Sequence, residues 1–280
     1  GHVSVTTTEI YAKVDAEQKR KALEEAYEAP SQEVVPEWQT DKGLIAWLSE
    51  LSSIHYGLPY GYYYYLDYTK GKEIWVLGVP FMDSISYVFL AYASYSLALL
   101  VVSPVRRMKW IVYVLETKEL RSSYFTTFLG TIFFVYLDII IDPVALKGEK
   151  WFLGQIYGYA DHGVYFGIPI SNFAGWFVTG FLMILALQAI DRYLLIRNIS
   201  DCPGYRYPWR YLVGPVLYSG VLVFNISVSF FIHEHTLGWV GVFIVMLPAF
   251  LVYSILRTKL AYENVARAQE AHQRDFPHTV

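Results

Sequence analysis

The sequence predicts an all-α fold, a polytopic bundle of about five transmembrane helices preceded by a short soluble helical segment. Three observations support this prediction. Of the 280 residues, 55% are hydrophobic and 18% are aromatic, and the mean hydropathy is +0.31. Only 17% are charged, against about 25% in ordinary globular domains. Five apolar windows are also long enough to cross a bilayer, which takes roughly 20 residues of helix.

Charge and cysteine usage exclude several classes of protein. A net charge of -3 argues against a broad nucleic-acid surface. The single Cys202 excludes an internal disulfide and a cysteine-based metal site. The start of the chain is polar and lacks the apolar core of a secretory signal. Because the chain begins at Gly1 rather than Met, we expect a fragment or a processed chain.

The chain divides into two unlike parts, residues 1–54 and residues 57–280. The first part is soluble in character: "VDAEQKRKALEEAYEAP" is charged, rich in Ala and prone to form a helix that ends at Pro30. A polar linker leads to "GLIAWLSELSS", which carries one apolar helical stripe. The stripe consists of Leu44, Ile45, Leu48 and Leu51. From Ile54 onward the composition becomes aromatic and apolar.

The second part contains the five predicted spans. They lie near 80–102, 123–142, 170–190, 211–232 and 239–256. The loops around 103–122 and 191–210 and the C-terminal tail are rich in Arg and Lys, whereas 143–169 has two lysines and no arginine. By the positive-inside rule, we expect an integral protein of the cell membrane whose basic loops and C-terminus are cytoplasmic. The basic "KRK" at 19–21 would then lie on the far side, so we expect upstream spans to be absent and a foreign segment to be joined in their place.

The start of the chain, "GHVSVTTTEIY", resembles the end of the catalytic domain of tyrosine recombinases (phage-type integrases), with the pattern Gly-His-x-Ser-x-x-Thr-Thr-x-x-Tyr. The resemblance covers about the first fifth of the chain. It implies Tyr11 as a nucleophile on a phosphate and His2 as a hydrogen-bond donor to that phosphate. In the family, two arginines, a lysine and a second histidine lie upstream of this motif, and these are not in this chain. Without cations a lone tyrosine has little catalytic power, so we expect no DNA partner.

Three blocks in the rest of the chain carry a second resemblance. "GLPYGYYYYLDYTKGKEIWVLGVPF", "YLDIIIDPVA" and "GVYFGIPISNFAGWFVTGF" resemble, in this order, the carotenoid biosynthesis membrane family that includes carotenoid hydratases of the bisanhydrobacterioruberin and γ-carotene type. The third block is the most specific signal. The resemblance implies addition of water to the terminal C=C bond of a linear or monocyclic carotenoid. This chemistry needs no metal, nucleotide or redox cofactor, and we expect none. The family usually has further helices before the first block, which implies an N-terminal truncation here.

Asp138 and Asp142 are the candidate catalytic residues. An isolated alkene is a poor base, so its hydration begins with a difficult protonation, for which a carboxylic acid in an apolar environment is a suitable donor. The spacing i, i+4 places both acids on one helical face, and Pro143 is expected to end the span. Intramembrane carboxyls usually face a bundle interior or a water-filled cavity, and two close carboxyls resist simultaneous ionisation. The sequence does not show which of the two aspartates is the proton donor. Alternatively, both are structural: Asp142 caps the helix or marks the membrane interface, and Asp138 bonds a neighbouring helix.

Further candidates have both a functional and a structural interpretation. Asp83 is either an additional acid or a residue of the headgroup zone. The candidate substrate-binding residues are Tyr63, Tyr65, Tyr165, Asn172 and Trp176. The aromatic side chains could line a groove for a polyene and stabilise positive charge, or anchor the membrane interface. Asn172 could satisfy backbone or Asp groups within the bundle. "HEH" at 233–235 lacks the i, i+4 spacing of a helical zinc pair and is interpreted as a polar loop.

Two other functions remain open from the sequence. A transporter, or an assembly partner for other carotenoid enzymes, could also use paired acids and an aromatic cavity. An internal repeat with matched broken helices would favour transport, and the sequence has no clear one. The third hypothesis is a fragment of a DNA-integration protein.

Overall fold

The computed structural model describes residues 43–66, 74–108, 111–150, 154–160, 163–197, 209–261 and 265–277. All of these residues belong to one compact unit, residues 40–280. His2 and Tyr11 lie outside the described residues, so the interpretation of the recombinase-like segment stays a prediction.

The described residues form eight helices, six short strands and a single 3-10 turn at Gly148–Lys150. In chain order the helices and strands are α1 (Gly43–Tyr56), β1 (Tyr63–Tyr65), β2 (Trp75–Val76), β3 (Val79–Pro80), α2 (Phe81–Val102), β4 (Val105–Met108), β5 (Ile111–Val114), α3 (Lys118–Arg121), α4 (Tyr124–Ala145), β6 (Tyr157–Tyr159), α5 (Ile170–Ile196), α6 (Arg210–Phe231), α7 (His235–Ala261) and α8 (Ala266–Asp275). Helices α2, α4, α5, α6 and α7 are long and apolar enough to cross a membrane, which confirms the five predicted spans. The strands form antiparallel pairs, β1 with β6, β2 with β3 and β4 with β5.

Helices α2 and α4 form the centre of the bundle. They pack against each other, α5 packs against α4, and α6 packs against α2. A small residue permits the close approach, because a Cβ atom at Gly130 of α4 would lie 3.4 Å from the Cα atom of Tyr95 in α2. Helix α7 packs mainly against α6 and leaves most of its large apolar side chains exposed. An apolar helix with this exposure is expected to face lipid.

Helix α4 continues through Pro143 to Ala145, so the expectation that Pro143 ends the span is wrong. A proline has no N–H, which leaves the carbonyl four residues earlier without its helical partner. That carbonyl, of Ile139, accepts a hydrogen bond from the Tyr165 hydroxyl at 3.2 Å. Because a side chain replaces the missing donor, the last turn of α4 can form.

Helix α7 contains the same arrangement. Pro248 lies inside this helix and leaves the Ile244 carbonyl without its helical donor. The hydroxyl of Tyr136 in α4 donates to this carbonyl. The bond also ties the peripheral helix to the centre of the bundle.

Helix α1 turns a polar face inward. It packs against α2 and α5, and its buried side chains are Ala46, Glu50 and Ser53. Leu44 and Leu48 of the predicted apolar stripe are exposed. The face of α1 that meets the bundle is therefore not the stripe visible in the sequence.

Candidate active site

Asp138 and Asp142 lie one turn apart on α4, and both are buried, with 0% and 3% of their surface exposed. Asn172, in the first turn of α5, joins them: its Nδ2 donates to Oδ2 of each aspartate at 2.8 Å. An amide nitrogen carries two hydrogens, so one side chain holds both carboxyls. In the part of the chain that the structure describes, Oδ1 of Asp138 has no hydrogen-bond partner, and no Lys or Arg pairs with either acid.

Two tyrosines of β6 surround Asp142 with further donors. The Tyr157 hydroxyl donates to Oδ1, and the Tyr159 hydroxyl donates to Oδ2 at 2.5 Å. Residues two apart on a strand share a face, which explains why both rings reach the same carboxyl. Burial, followed by the charge of Asp142, raises the pKa of both phenols, so they remain protonated donors. Sequence reasoning missed both residues, and the available signal was the alternation "YGY" between the second and third blocks.

The short β1–β6 ladder is fixed over the first turns of α5. Gly175 permits a close approach, because a Cβ atom there would lie 2.7 Å from the Cα atom of Tyr60, just before β1. The Tyr60 hydroxyl donates to Oγ1 of Thr179 at 2.9 Å. In the ladder, Tyr63 pairs with Tyr159 and Tyr65 pairs with Tyr157. The strand with Tyr157 and Tyr159 is thereby held beside the helix that carries Asn172.

Trp176 lies one turn after Asn172 on α5, in an aromatic core. Its ring stacks on Tyr87 with 4.6 Å between centroids and an angle of 20° between ring planes, and it meets Phe134 at 4.8 Å. Trp176 is buried. These contacts account for its position by packing, and its predicted role in substrate binding stays a prediction.

Tyr165 reaches α4 between the two aspartates. Its hydroxyl donates to the Ile139 carbonyl, and the ring is half-buried beside Phe166 and Phe173. Burial raises the pKa of Tyr165 to about 12. The neutral phenol therefore supports the turn that carries Asp142.

The four consecutive tyrosines at 62–65 alternate between two environments. Tyr62 and Tyr64 are exposed, as expected of interfacial anchors, whereas Tyr63 and Tyr65 are more buried. The Tyr65 hydroxyl donates to Oδ2 of Asp83 at 3.0 Å. Asp83 thus lies with Tyr65, apart from the Asn172 bridge.

In the "HEH" segment, His233 and Glu234 lie in the turn between α6 and α7, and His235 begins α7. Glu234 forms ion pairs with Lys147 at 3.1 Å and Lys150 at 2.9 Å, which tie this turn to the end of α4. Within the described ranges there is no group of three or more His, Cys, Asp or Glu side chains that could hold a metal ion.

The family of the chain follows from its residues 41–248, which match the family described as "Carotenoid biosynthesis protein". This match covers most of the chain, which therefore belongs to the carotenoid biosynthesis protein family. The chain is similar to a bisanhydrobacterioruberin hydratase from Haloarcula japonica, with 30% identity over 158 residues. The alignment covers 55% of this chain and 45% of the relative, so less than half of that protein's length is matched. No solved structure matches the chain.

Proposed function

We propose that this membrane protein is a carotenoid hydratase, which adds water to the terminal C=C bond of a linear or monocyclic carotenoid. Its family and the name of its relative support a role in carotenoid modification. The observation that carries the reaction is the unequal pair of buried acids. Asp142 receives three hydrogen bonds, from Tyr157, Tyr159 and Asn172, whereas Asp138 receives one from Asn172.

This inequality assigns a role to each acid within the proposal. Donors directed at a carboxyl favour its anionic form, so Asp142 is the member that stays ionised. Two carboxyls joined by one amide share a site in which only one charge is tolerated. Asp138 therefore carries the proton, and its unpartnered Oδ1 is the atom from which the proton leaves.

The proposed reaction is balanced with water as its co-reactant. The O–H bond of the Asp138 acid breaks as the terminal alkene carbon forms its new C–H bond, and a tertiary cation results. A water oxygen then bonds to the cation, and one water proton passes to the carboxylate pair. The acid is regenerated, and the sum is alkene plus water giving a tertiary alcohol. The negative charge of the pair stabilises the cation, and the rings of Tyr63, Tyr65 and Tyr165 are the proposed cation–π contacts.

A product assay tests the proposal. The full chain is expressed in cells that accumulate an acyclic carotenoid, and the pigments are separated and analysed by mass spectrometry. We expect a pigment heavier by one water molecule. Unchanged pigments from a protein that is present and folded in the membrane would contradict the proposal and favour a transporter or an assembly partner.

A further inference from the structure

A second group of acids lies beside strand β1 of the same ladder. Oε2 of Glu50 accepts a hydrogen bond from Oγ of Ser84 at 2.7 Å. Only 1% of the Glu50 surface is exposed, and Oε1 has no hydrogen-bond partner among the described residues. The residue before Ser84, Asp83, is partly exposed and accepts a hydrogen bond from Tyr65. A buried acid with an unpartnered oxygen therefore lies beside an acid that reaches solvent.

The two carboxyls of this group are electrostatically linked. Burial, followed by the neighbouring Asp83 charge, raises the pKa of Glu50. Tyr65 acts on both, since its hydroxyl donates to Asp83 and favours the charged form of Glu50. In such a pair the protonation of one acid depends on the charge of the other. The group can therefore store a proton close to the protein surface.

Tyrosine rings connect this group to Asp142. The hydroxyls of Tyr65 and Tyr63 lie 3.3 Å apart. The ring of Tyr63 meets that of Tyr157 at 6.2 Å and that of Tyr159 at 6.4 Å between centroids, and both of these phenols donate to Asp142. The register of β1 and β6 places all four rings on the same side of the ladder.

We propose that Glu50 and Asp83 form a proton entry site, which exchanges protons with Asp138 and Asp142 through these tyrosines. This proposal rests on the proposed function for its purpose: turnover itself consumes no proton, and the relay keeps the resting acid pair singly protonated by exchange with solvent. Each phenol accepts one proton as it donates another, so no phenolate is formed. The step from Tyr63 to the β6 tyrosines would require one bridging water. Glu50 and Asp83 touch no reacting atom in this scheme and act through the relay.

Infrared spectroscopy tests the relay without substrate. The purified full chain in lipid nanodiscs is moved from H2O to D2O, and the isotope shift of the protonated-carboxyl band that Asp138→Asn removes is followed in time. We expect Tyr63→Phe, Tyr65→Phe and Glu50→Gln to slow this exchange about tenfold, as the loss of one hydrogen-bonded step predicts. Tyr64→Phe, which changes an exposed ring on the same strand, is the matched control and should exchange at the wild-type rate.

The outcomes separate the relay from the proposed function. Exchange at the wild-type rate in Tyr63→Phe and Glu50→Gln would overturn the relay, even if the protein hydrates carotenoids. A slowed exchange in a protein that makes no hydrated pigment would support the relay and contradict the hydratase. The lack of any protonated-carboxyl band in the wild-type chain would overturn both.

Discussion

The two ends of α4 hold acidic side chains in different ways. Near its start, Arg121 pairs with Glu116 at 2.7 Å and with Asp191 at 3.0 Å. Near its end, Asp138 and Asp142 meet an amide and two phenols. Among the described residues, a cation therefore pairs with Glu116 and Asp191 but not with Asp138 or Asp142.

In the proposed hydratase, this difference separates a stabilising cluster from a reactive one. When a buried carboxyl is paired with an arginine, the arginine charge offsets the cost of burying the carboxylate. Neutral donors compensate a carboxylate less completely, so a pair of acids without a cation favours retention of one proton. The start of α4 is thus suited to hold the bundle together, and its end is suited to transfer a proton. The predictions below test this contrast.

The largest expected effect comes from removing a carboxyl at each end. Asp138→Asn should lower the amount of hydrated pigment by about 10²–10⁴-fold, the usual contribution of a general acid. Asp191→Asn makes the same chemical change beside Arg121 and should leave the yield per folded molecule near that of the wild type. Pigment chromatography, normalised to membrane protein, gives both values. Equal losses in the two variants would remove the contrast between the ends.

Removing the positive charge of Arg121 should destabilise the contacts near the start of α4. Arg121→Gln leaves Glu116, which is buried, without its partner, and breaking a buried pair costs roughly 3–5 kcal/mol. The free energy of unfolding in detergent, from a denaturant titration, measures the change. Arg192→Gln alters an exposed arginine and is the control. If Arg121→Gln lowers the free energy of unfolding by less than about 1 kcal/mol, the Arg121–Glu116 pair contributes no more than an ordinary surface ion pair.

Removing the hydrogen bond that supports the last turn of α4 should lower the free energy of unfolding by less than the loss of Arg121. Tyr165→Phe removes the donor to the Ile139 carbonyl, and an unsatisfied buried acceptor costs about 1–3 kcal/mol. The same unfolding titration checks it, with the exposed Tyr124→Phe as control. If Tyr165→Phe is as stable as the control, the Ile139 carbonyl does not depend on this hydroxyl.

The smallest expected effect is a pH dependence at the start of α4. His272 of α8 is buried, and its Nδ1 lies 2.6 Å from the Glu116 carbonyl oxygen. Burial lowers the pKa of His272 from its ordinary value of 6.5. The unfolded chain then binds more protons than the folded one, so this contribution to stability is complete above about pH 6.5 and declines as the pH falls below it.

Amide hydrogen exchange in α8, corrected for the intrinsic rate at each pH, measures this effect. Protection should decrease as the pH falls below about 6.5, and His272→Gln should abolish the decrease. If the variant keeps the same pH dependence, His272 is not its cause. The charged groups that act on His272 are Glu116, Arg121 and Arg210.

The spans were predictable from the sequence and the polar contacts between them were not. Apolar windows of the right length identify membrane helices because hydropathy is a local property. Asp138 and Asp142 stood out because an acid is rare in such a window. Glu50 did not, because its segment is polar enough for an acid to look solvated, and its burial depends on packing against α2 and α5.

The tyrosines of β6 were missed for a related reason. A strand of three residues is too short for an alternating pattern to be significant, and its partner β1 is far away in sequence. Pro143 was interpreted as a stop because sequence alone does not show that Tyr165 supplies the missing donor. In each case the deciding contact joins segments that are distant in the chain.

The most direct test of the account is an isotope experiment on the full chain. Membranes with the wild-type protein are given an acyclic carotenoid in D2O enriched in oxygen-18, and the product is analysed by mass spectrometry. The account predicts one oxygen-18 in the new hydroxyl and one deuterium on the adjacent carbon, with neither in Asp138→Asn. A product that carries the oxygen without the carbon-bound deuterium, or wild-type labelling in Asp138→Asn, would contradict proton donation by Asp138.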